Sequence, residues 1–212
     1  MRLIRLATVA LARIVGLKAS GLYQDALMVI DQVLEQVFGL RPELVRNMDE
    51  SSLLESLTNI DGLDTDRLYL GAELFHEEAE IFTALGQPEE ASWRYQRALS
   101  FYLEVVLNGG AVNFPEPHEK IQNLVNLLQN KIPPKVSLLL FEYYEQVGKV
   151  VLAERTLEWM REAGAAGEDI NDLRSGLYQR LLEKPDSDLA LLGQSRASLE
   201  SKLASSSLDF SS

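Results

Sequence analysis

Along almost the whole chain, apolar residues return after three or four positions, and no run of β-branched residues alternates with polar ones between tight turns. Segments patterned this way bury a single stripe, and the α-helix is the element that presents one. The spacing predicts an all-α fold of about ten helices, at 3–19, 22–38, 51–59, 66–85, 88–107, 117–130, 134–147, 149–163, 168–183 and 187–203, with a short turn at 42–48. The punctuation agrees. Pro42, Pro88, Pro117 and Pro134 suit first helical turns, whereas Gly39, Gly86, Gly148 and Gly164 suit the left-handed residue that closes a helix. Asp64, Thr65 and Asp66 offer capping oxygens to a long helix. The largest break, from Asn108 through Gly109 and Gly110 to Pro115, reads as a loop between halves 1–108 and 115–203 of a single helical domain, and 204–212 reads as a flexible tail.

Within this pattern one signature occurs three times: GLYQDA at 21–26, GQPEEA at 86–91 and GKVVLA at 148–153. In each, a glycine follows an apolar helix, an alanine comes five residues later, and a large apolar residue (Ile30, Tyr95 or Leu157) lies four beyond the alanine. Chemically this is a helical hairpin. Glycine tolerates the positive φ of a tight reversal, and the small alanine lets the returning helix come close, where a larger side chain would cost about 1–3 kcal/mol of overpacking.

These residues resemble the tetratricopeptide repeat (TPR) family, whose pattern runs W-x2-L-G-x2-Y, A-x3-F, P. The middle copy carries it through Phe75, Ala79, Phe82, Gly86, Ala91, Tyr95 and Ala98, departing at Glu78, where the family prefers Leu, and at Leu103, where it ends on Pro. The first copy has Ile14, Leu17, Gly21, Ala26, Ile30 and Val33; the third has Phe141, Tyr144, Gly148, Ala153, Leu157 and Met160. The turn glycines lie 65 and 62 residues apart, whereas tandem repeats would set them about 34 apart. Extra helices are therefore expected between the hairpins, at 51–59 and 117–130. A fourth, degenerate hairpin would use the helix ending at Leu182, before Lys184-Pro185-Asp186-Ser187. The chain is also similar to a bacterial group of such helical proteins, which adds no activity. The resemblance implies antiparallel hairpins in an array and a noncatalytic role in protein–protein interaction.

Composition narrows the chemistry. A formal charge of −12 and a pI near 4.7 set up a field that repels phosphate backbones, against nucleic-acid binding. The absence of cysteine removes disulfides, thiol nucleophiles and Cys-based metal sites. At the N-terminus, Arg2 and Arg5 before an apolar run resemble a secretion signal, but Arg13 interrupts the run and the pattern continues through Leu17 into the next helix. No apolar stretch reaches the roughly 20 residues a spanning helix needs. The expectation is a cytoplasmic protein off the membrane.

Glu73, His76, Glu77 and Glu80 share one helix face, and Glu73-x-x-His76 has the local spacing of di-iron carboxylate ligands. The second copy such a site needs is missing, because Pro115 stands three before His118. HEEAE lacks the second histidine of a zinc protease motif, there is no G-x-S-x-G, and the glycines at 164 and 167 have neither a strand before them nor a lysine after. No catalytic, metal or cofactor residue is assigned, and the chain is read as a non-enzyme; a metal-dependent enzyme using Glu73 and His76 stands as an alternative. Ten aromatics, from Tyr69 to Trp159, are assigned mostly to the core, and Glu90/Arg94 and Trp93/Arg97 to surface pairs one turn apart.

In the resembled family the first helix of each hairpin lines a groove. Those positions fall on Glu73, His76, Glu77, Glu80, Thr83 and Ala84 in the middle copy, and include Glu142 and Glu145 in the third. The expected partner site is thus Glu73, His76, Glu77, Glu80, Glu142 and Glu145, accepting a basic or polar segment of another protein. In the first copy the same positions, among them Leu11, Ala12, Val15 and Lys18, are too apolar for a solvated groove. A covering helix or a homodimer through this helix is expected there, and structural self-association is the other alternative.

Overall fold

A computed structural model describes residues 2–110 and 117–208. Among them are twelve α-helices and one two-residue β-ladder, which makes the fold all-α. The chain divides into two compact units, Met1–Ile132 and Pro133–Ser212. The division falls at the Pro133-Pro134 pair, downstream of the glycine loop that marked the halves in the sequence; Ala111 to Pro115 of that loop lie outside the described residues. None of the helices described is long and apolar enough to cross a membrane.

The first unit contains α1 (Arg2–Ala19), α2 (Tyr23–Phe38), α3 (Pro42–Asn47), α4 (Glu50–Ser56), α5 (Thr65–Ala84), α6 (Pro88–Leu107) and α7 (Pro117–Leu128). The second contains α8 (Pro134–Gln146), α9 (Val150–Glu162), α10 (Gly167–Leu182), α11 (Asp186–Leu191) and α12 (Arg196–Leu208). The helix expected at 51–59 stops at Ser56, and β1 (Thr58–Asn59) pairs antiparallel with β2 (Gly62–Leu63). The reason is local: Asn59 Oδ1 accepts the Asp61 amide at 2.8 Å, and Gly62 takes φ 108°, which together reverse the chain. At the C-terminus α12 runs on to Leu208, past the tail expected from 204, and 209–212 lie outside the described residues.

All three glycine turns form, and with one geometry. Gly21, Gly86 and Gly148 have φ of 73°, 70° and 73°. In each turn the glycine amide bonds the carbonyl three residues back and the next amide bonds the carbonyl five back, as in Leu22 to Leu17 at 2.9 Å, Gln87 to Phe82 at 2.9 Å and Lys149 to Tyr144 at 2.8 Å. This Schellman closure satisfies two of the carbonyls a helix end leaves free. It recurs after α9 at Gly164 and after α11 at Gly193. The alanines behave as their size demands: Ala26 and Ala153 are 0% exposed and Ala91 is 3% exposed. Hairpins α1–α2, α5–α6 and α8–α9 are the outcome, with α3, α4 and α7 lying between them in sequence.

The first unit is organised around α5, which packs against α1, α2 and α6. It buries residues on every side, from Leu68 to Ile81. Phe75 meets Phe101 edge-on at 5.8 Å between centroids, and Phe38 lies 6.3 Å from Phe101. Gly71 is what lets α2 approach: a Cβ there would stand 2.8 Å from Phe38 Cζ.

Candidate functional site

Glu73, His76, Glu77 and Glu80 do share one face of α5, as helical spacing requires. That face is covered. Lys18, in the last turn of α1, places its ammonium 2.5 Å from Glu77 and also bonds Glu80. Lys120 of α7 donates to both oxygens of Glu73, to Oε2 at 2.5 Å, and the Tyr102 hydroxyl donates to Glu73 Oε1 at 2.8 Å. Glu73 is only 7% exposed. A buried carboxylate needs partners of this kind, since an unpaired one would cost several kcal/mol. The expectation of a solvated acidic groove is corrected here. Glu73 is a structural ion pair, Glu77 shares an internal lysine, and the carboxylate left open to solvent is that of Glu80, at 44%.

His76 is wedged between the rings of Tyr95 and Tyr102, 5.8 and 6.4 Å away and edge-on. Its Nε2 lies 3.9 Å from Glu80 Oε1, too far for a hydrogen bond. Burial, aided by the Lys120 charge, lowers its pKa despite the opposing pull of Glu80, Glu73 and Glu77, so the ring is neutral near neutral pH. Lys18 shifts the other way: burial disfavours its charge, but the bonds and charges of Glu77 and Glu80 outweigh that and raise its pKa. Burial and the adjoining Glu73 carboxylate push Tyr102 well up. Because Lys120 and Tyr102 occupy the oxygens of Glu73, a metal at Glu73 and His76 would have to displace an ammonium.

Glu142 and Glu145 belong to α8 in the second unit. Glu142 is exposed, whereas Glu145 is gripped by Arg180 of α10 through Nε at 2.5 Å and Nη2 at 2.9 Å. This fork also corrects Glu145 as a free partner residue. The signal that finds Lys18 was present in the sequence: it occupies the groove position of the first copy, and neighbouring groove positions on packed hairpins face one another. Lys120 and Arg180 had no such marker.

A second charged network lies on the opposite side of α5. Glu78, 1% exposed at a position where a TPR would carry Leu, receives Arg46 Nε at 2.9 Å and pairs with Arg94 Nε at 3.1 Å. Arg46 also bonds Asp31 at 2.5 Å, and Arg94 reaches Glu90 at 2.6 Å; this is the pair expected from the sequence, but Arg94 is buried, 5% exposed, rather than on the surface. Burial works against the Arg46 charge, but Glu78 and Asp31 more than offset it and its pKa rises. The Arg94 guanidinium lies over the Phe82 ring at 3.9 Å and over Trp93 at 4.1 Å. Arg97 is 5.8 Å from the Trp93 ring and spends its donors on the carbonyls of Val45 and Met48, each at 2.8 Å.

No family model, curated protein or solved structure matches this chain. The surface itself must therefore say where a ligand fits. At the C-terminal end of α5 the acidic face runs into a cleft of about 420 Å³, bordered by Thr83, Pro88, Ala91, Tyr95, Leu127 and Leu128. Its lining is mainly apolar and Leu127 on its rim is 57% exposed. Tyr95 joins the cleft to the acidic face: its hydroxyl lies 3.2 Å from Thr83 Oγ1, and burial, with the Glu80 charge, raises its pKa while the Thr83 bond opposes. On α1, Val9 and Val15 are 67% and 48% exposed, so packing against α2 and α5 leaves part of this apolar helix open.

Proposed function

We propose that the protein is a noncatalytic interaction module of TPR-like construction, which takes a segment of another protein at the C-terminal end of α5. An apolar side chain of the partner enters the cleft beside Tyr95, and a cationic one meets Glu80. The observation that carries this reading is the adjacency of an apolar cleft to the one open carboxylate of the α5 face. Apolar pockets anchor a partner, and a nearby charge selects among partners. Lys18 already shows how an ammonium sits on this face, between Glu77 and Glu80.

Selection from a displayed peptide library tests the reading. Enrichment of peptides with Lys or Arg next to a large apolar residue is the expected result, with affinity falling about tenfold for Leu127→Asp and less for Glu80→Gln. Leu127 and Glu80 are both exposed enough for these changes to spare the fold. A library that enriches acidic peptides, or none, removes the proposal. Self-association through α1 is a second reading, favoured by exposed Val9 and Val15. Light scattering that shows mass doubling with concentration, abolished by Val15→Lys, would establish it.

A further inference from the structure

The second unit contains a cleft of a different kind, about 360 Å³ in volume, walled by α9, α10 and α12. Its volume is close to that of the α5 cleft, but its lining is mainly polar and charged where that one is mainly apolar, so it suits a small polar molecule. Helical spacing builds its walls: Glu154, Glu158 and Arg161 follow one face of α9, and Arg174 and Tyr178 are one turn apart on α10. Glu154 is satisfied within the fold, since its Oε1 accepts both the Tyr178 hydroxyl and the Lys202 ammonium at 2.7 Å. Lys202 is thereby spent, and it also lies 5.6 Å from the Tyr178 ring.

Three charges in this cleft are not spent. Arg161, Arg174 and Glu158 make no ion pair within the described residues. Arg46, Arg94, Arg97, Arg180 and Arg196 all donate to carboxylates or carbonyls. Arg13, Arg41, Arg67 and Arg155 make no ion pair among the described residues either, and what sets Arg161 and Arg174 apart is that both line one cleft. In a chain of net charge −12, two unpaired guanidiniums from adjacent helices form a local site for an oxyanion, and planar donors match a carboxylate well. A bare multivalent anion would be repelled by Glu158, one turn before Arg161 on the same wall. The ligand that satisfies all three carries an anionic and a cationic group a few bonds apart.

We propose that this cleft binds a small zwitterion of the amino-acid class. Arg161 and Arg174 hold its carboxylate, Glu158 holds its ammonium, and the Ser201 hydroxyl on α12 borders the site. This goes beyond the peptide site on α5, involves none of its residues, and stands or falls independently of it.

The test is calorimetric titration of the full chain with each of the free amino acids, and with acetate and inorganic phosphate as single-sign probes. Saturable binding of at least one amino acid, tighter than either acetate or phosphate, is expected. Arg161→Gln with Arg174→Gln should weaken that binding about tenfold or more. Glu158→Gln should weaken the amino acid but strengthen acetate, an opposition of sign that general loss of structure would not produce. Because none of the three side chains makes an ion pair among the described residues, the variants should melt as the parent does. Absence of saturable binding by any amino acid, phosphate binding more tightly than all of them, or affinity unchanged in the double arginine variant would each overturn the proposal.

Discussion

The α5–α6 and α8–α9 hairpins turn through the same glycine geometry, φ 70° and 73°, and each buries an alanine five residues on, yet their interiors differ in kind. The first buries Glu73, Glu78 and Arg94 among its apolar residues. In the second, Ser137 and Thr156 are the buried polar side chains, and the Thr156 hydroxyl turns back to its own helix at Leu152. The common turn fixes how two helices meet. What it leaves open is what covers them, and α5 is covered by more helices than one stripe of apolar residues can serve. Its extra buried faces are made compatible by ion pairs with Lys120 and Arg46.

Breaking those pairs should separate the two hairpins most sharply. Arg94→Met leaves the Glu78 carboxylate, already with Oε2 unbonded, dependent on Arg46 alone. A loss of about 3–5 kcal/mol in unfolding free energy is expected for a buried charge stripped of a partner. In the second hairpin, Glu145→Gln breaks a pair whose arginine is 52% exposed, and about 1 kcal/mol or less should be lost. Denaturant titration reads both. If Arg94→Met costs no more than Glu145→Gln, the Glu78 network does not stabilise the first unit. Replacing Glu78 by Leu with Arg46 and Arg94 by Met should recover most of the loss, as apolar substitutes for a whole buried network commonly do.

A change common to both hairpins comes next in size. Ala91→Leu and Ala153→Leu put three extra carbons where the helices touch, and each should cost about 1–3 kcal/mol by overpacking. Hydrogen exchange in α5 and α6 for the first variant, and in α8 and α9 for the second, locates the loss. An unchanged melting temperature for either would mean that the alanine does not set the helix approach.

What could be read in advance follows the same line. Helix positions, the three glycine pivots and the buried alanines were legible because each depends on residues close in sequence: periodicity, a capping proline, a glycine at positive φ. The β-ladder at 58–63 was not, since four residues closed by one Asn59 bond leave little pattern. Gly193 closes α11 as the other pivots close their helices but has Ser198 rather than an alanine five residues on, outside the repeated signature, and Gly71 shows its purpose only against Phe38. For the candidate site, the face formed by Glu73, His76, Glu77 and Glu80 was legible, but its charge state was not. Lys120 and Arg180 lie 47 and 35 residues from the carboxylates they neutralise, and no local rule reports such distances.

The pivots themselves offer a finer comparison. A Cβ at Gly86 meets nothing within 4 Å, whereas one at Gly148 would stand 2.6 Å from Leu192 Cδ2. Alanine at either site suffers the left-handed backbone penalty, about 1–2 kcal/mol. Gly148→Ala should cost more by the movement of Leu192, a half-buried side chain that can rotate. Gly148→Ala combined with Leu192→Ala should then lose less than the two single changes added together, which a double-mutant cycle measures. Strict additivity would show that Leu192 does not press on the pivot.

The smallest expected difference is a pH dependence belonging to one unit. Both histidines, His76 and His118, lie in the first unit, and the second has none. The His76 pKa is lowered in the fold by burial, so the folded state resists protonation more than the unfolded chain does. Above the unfolded value, near 6.5, both states are neutral and the full stability is present. As pH falls below that value the unfolded chain takes up the proton first, so stability declines until the folded-state pKa is passed. The protection of α5 amides, exchange taken relative to its intrinsic rate, should therefore fall between about pH 7 and pH 5.5, while the protection of α9 amides should stay constant. His76→Phe, which preserves the ring packing against Tyr95 and Tyr102, should flatten the α5 response. If α5 and α9 respond alike, or the slope survives the substitution, the acid sensitivity belongs to groups other than this imidazole.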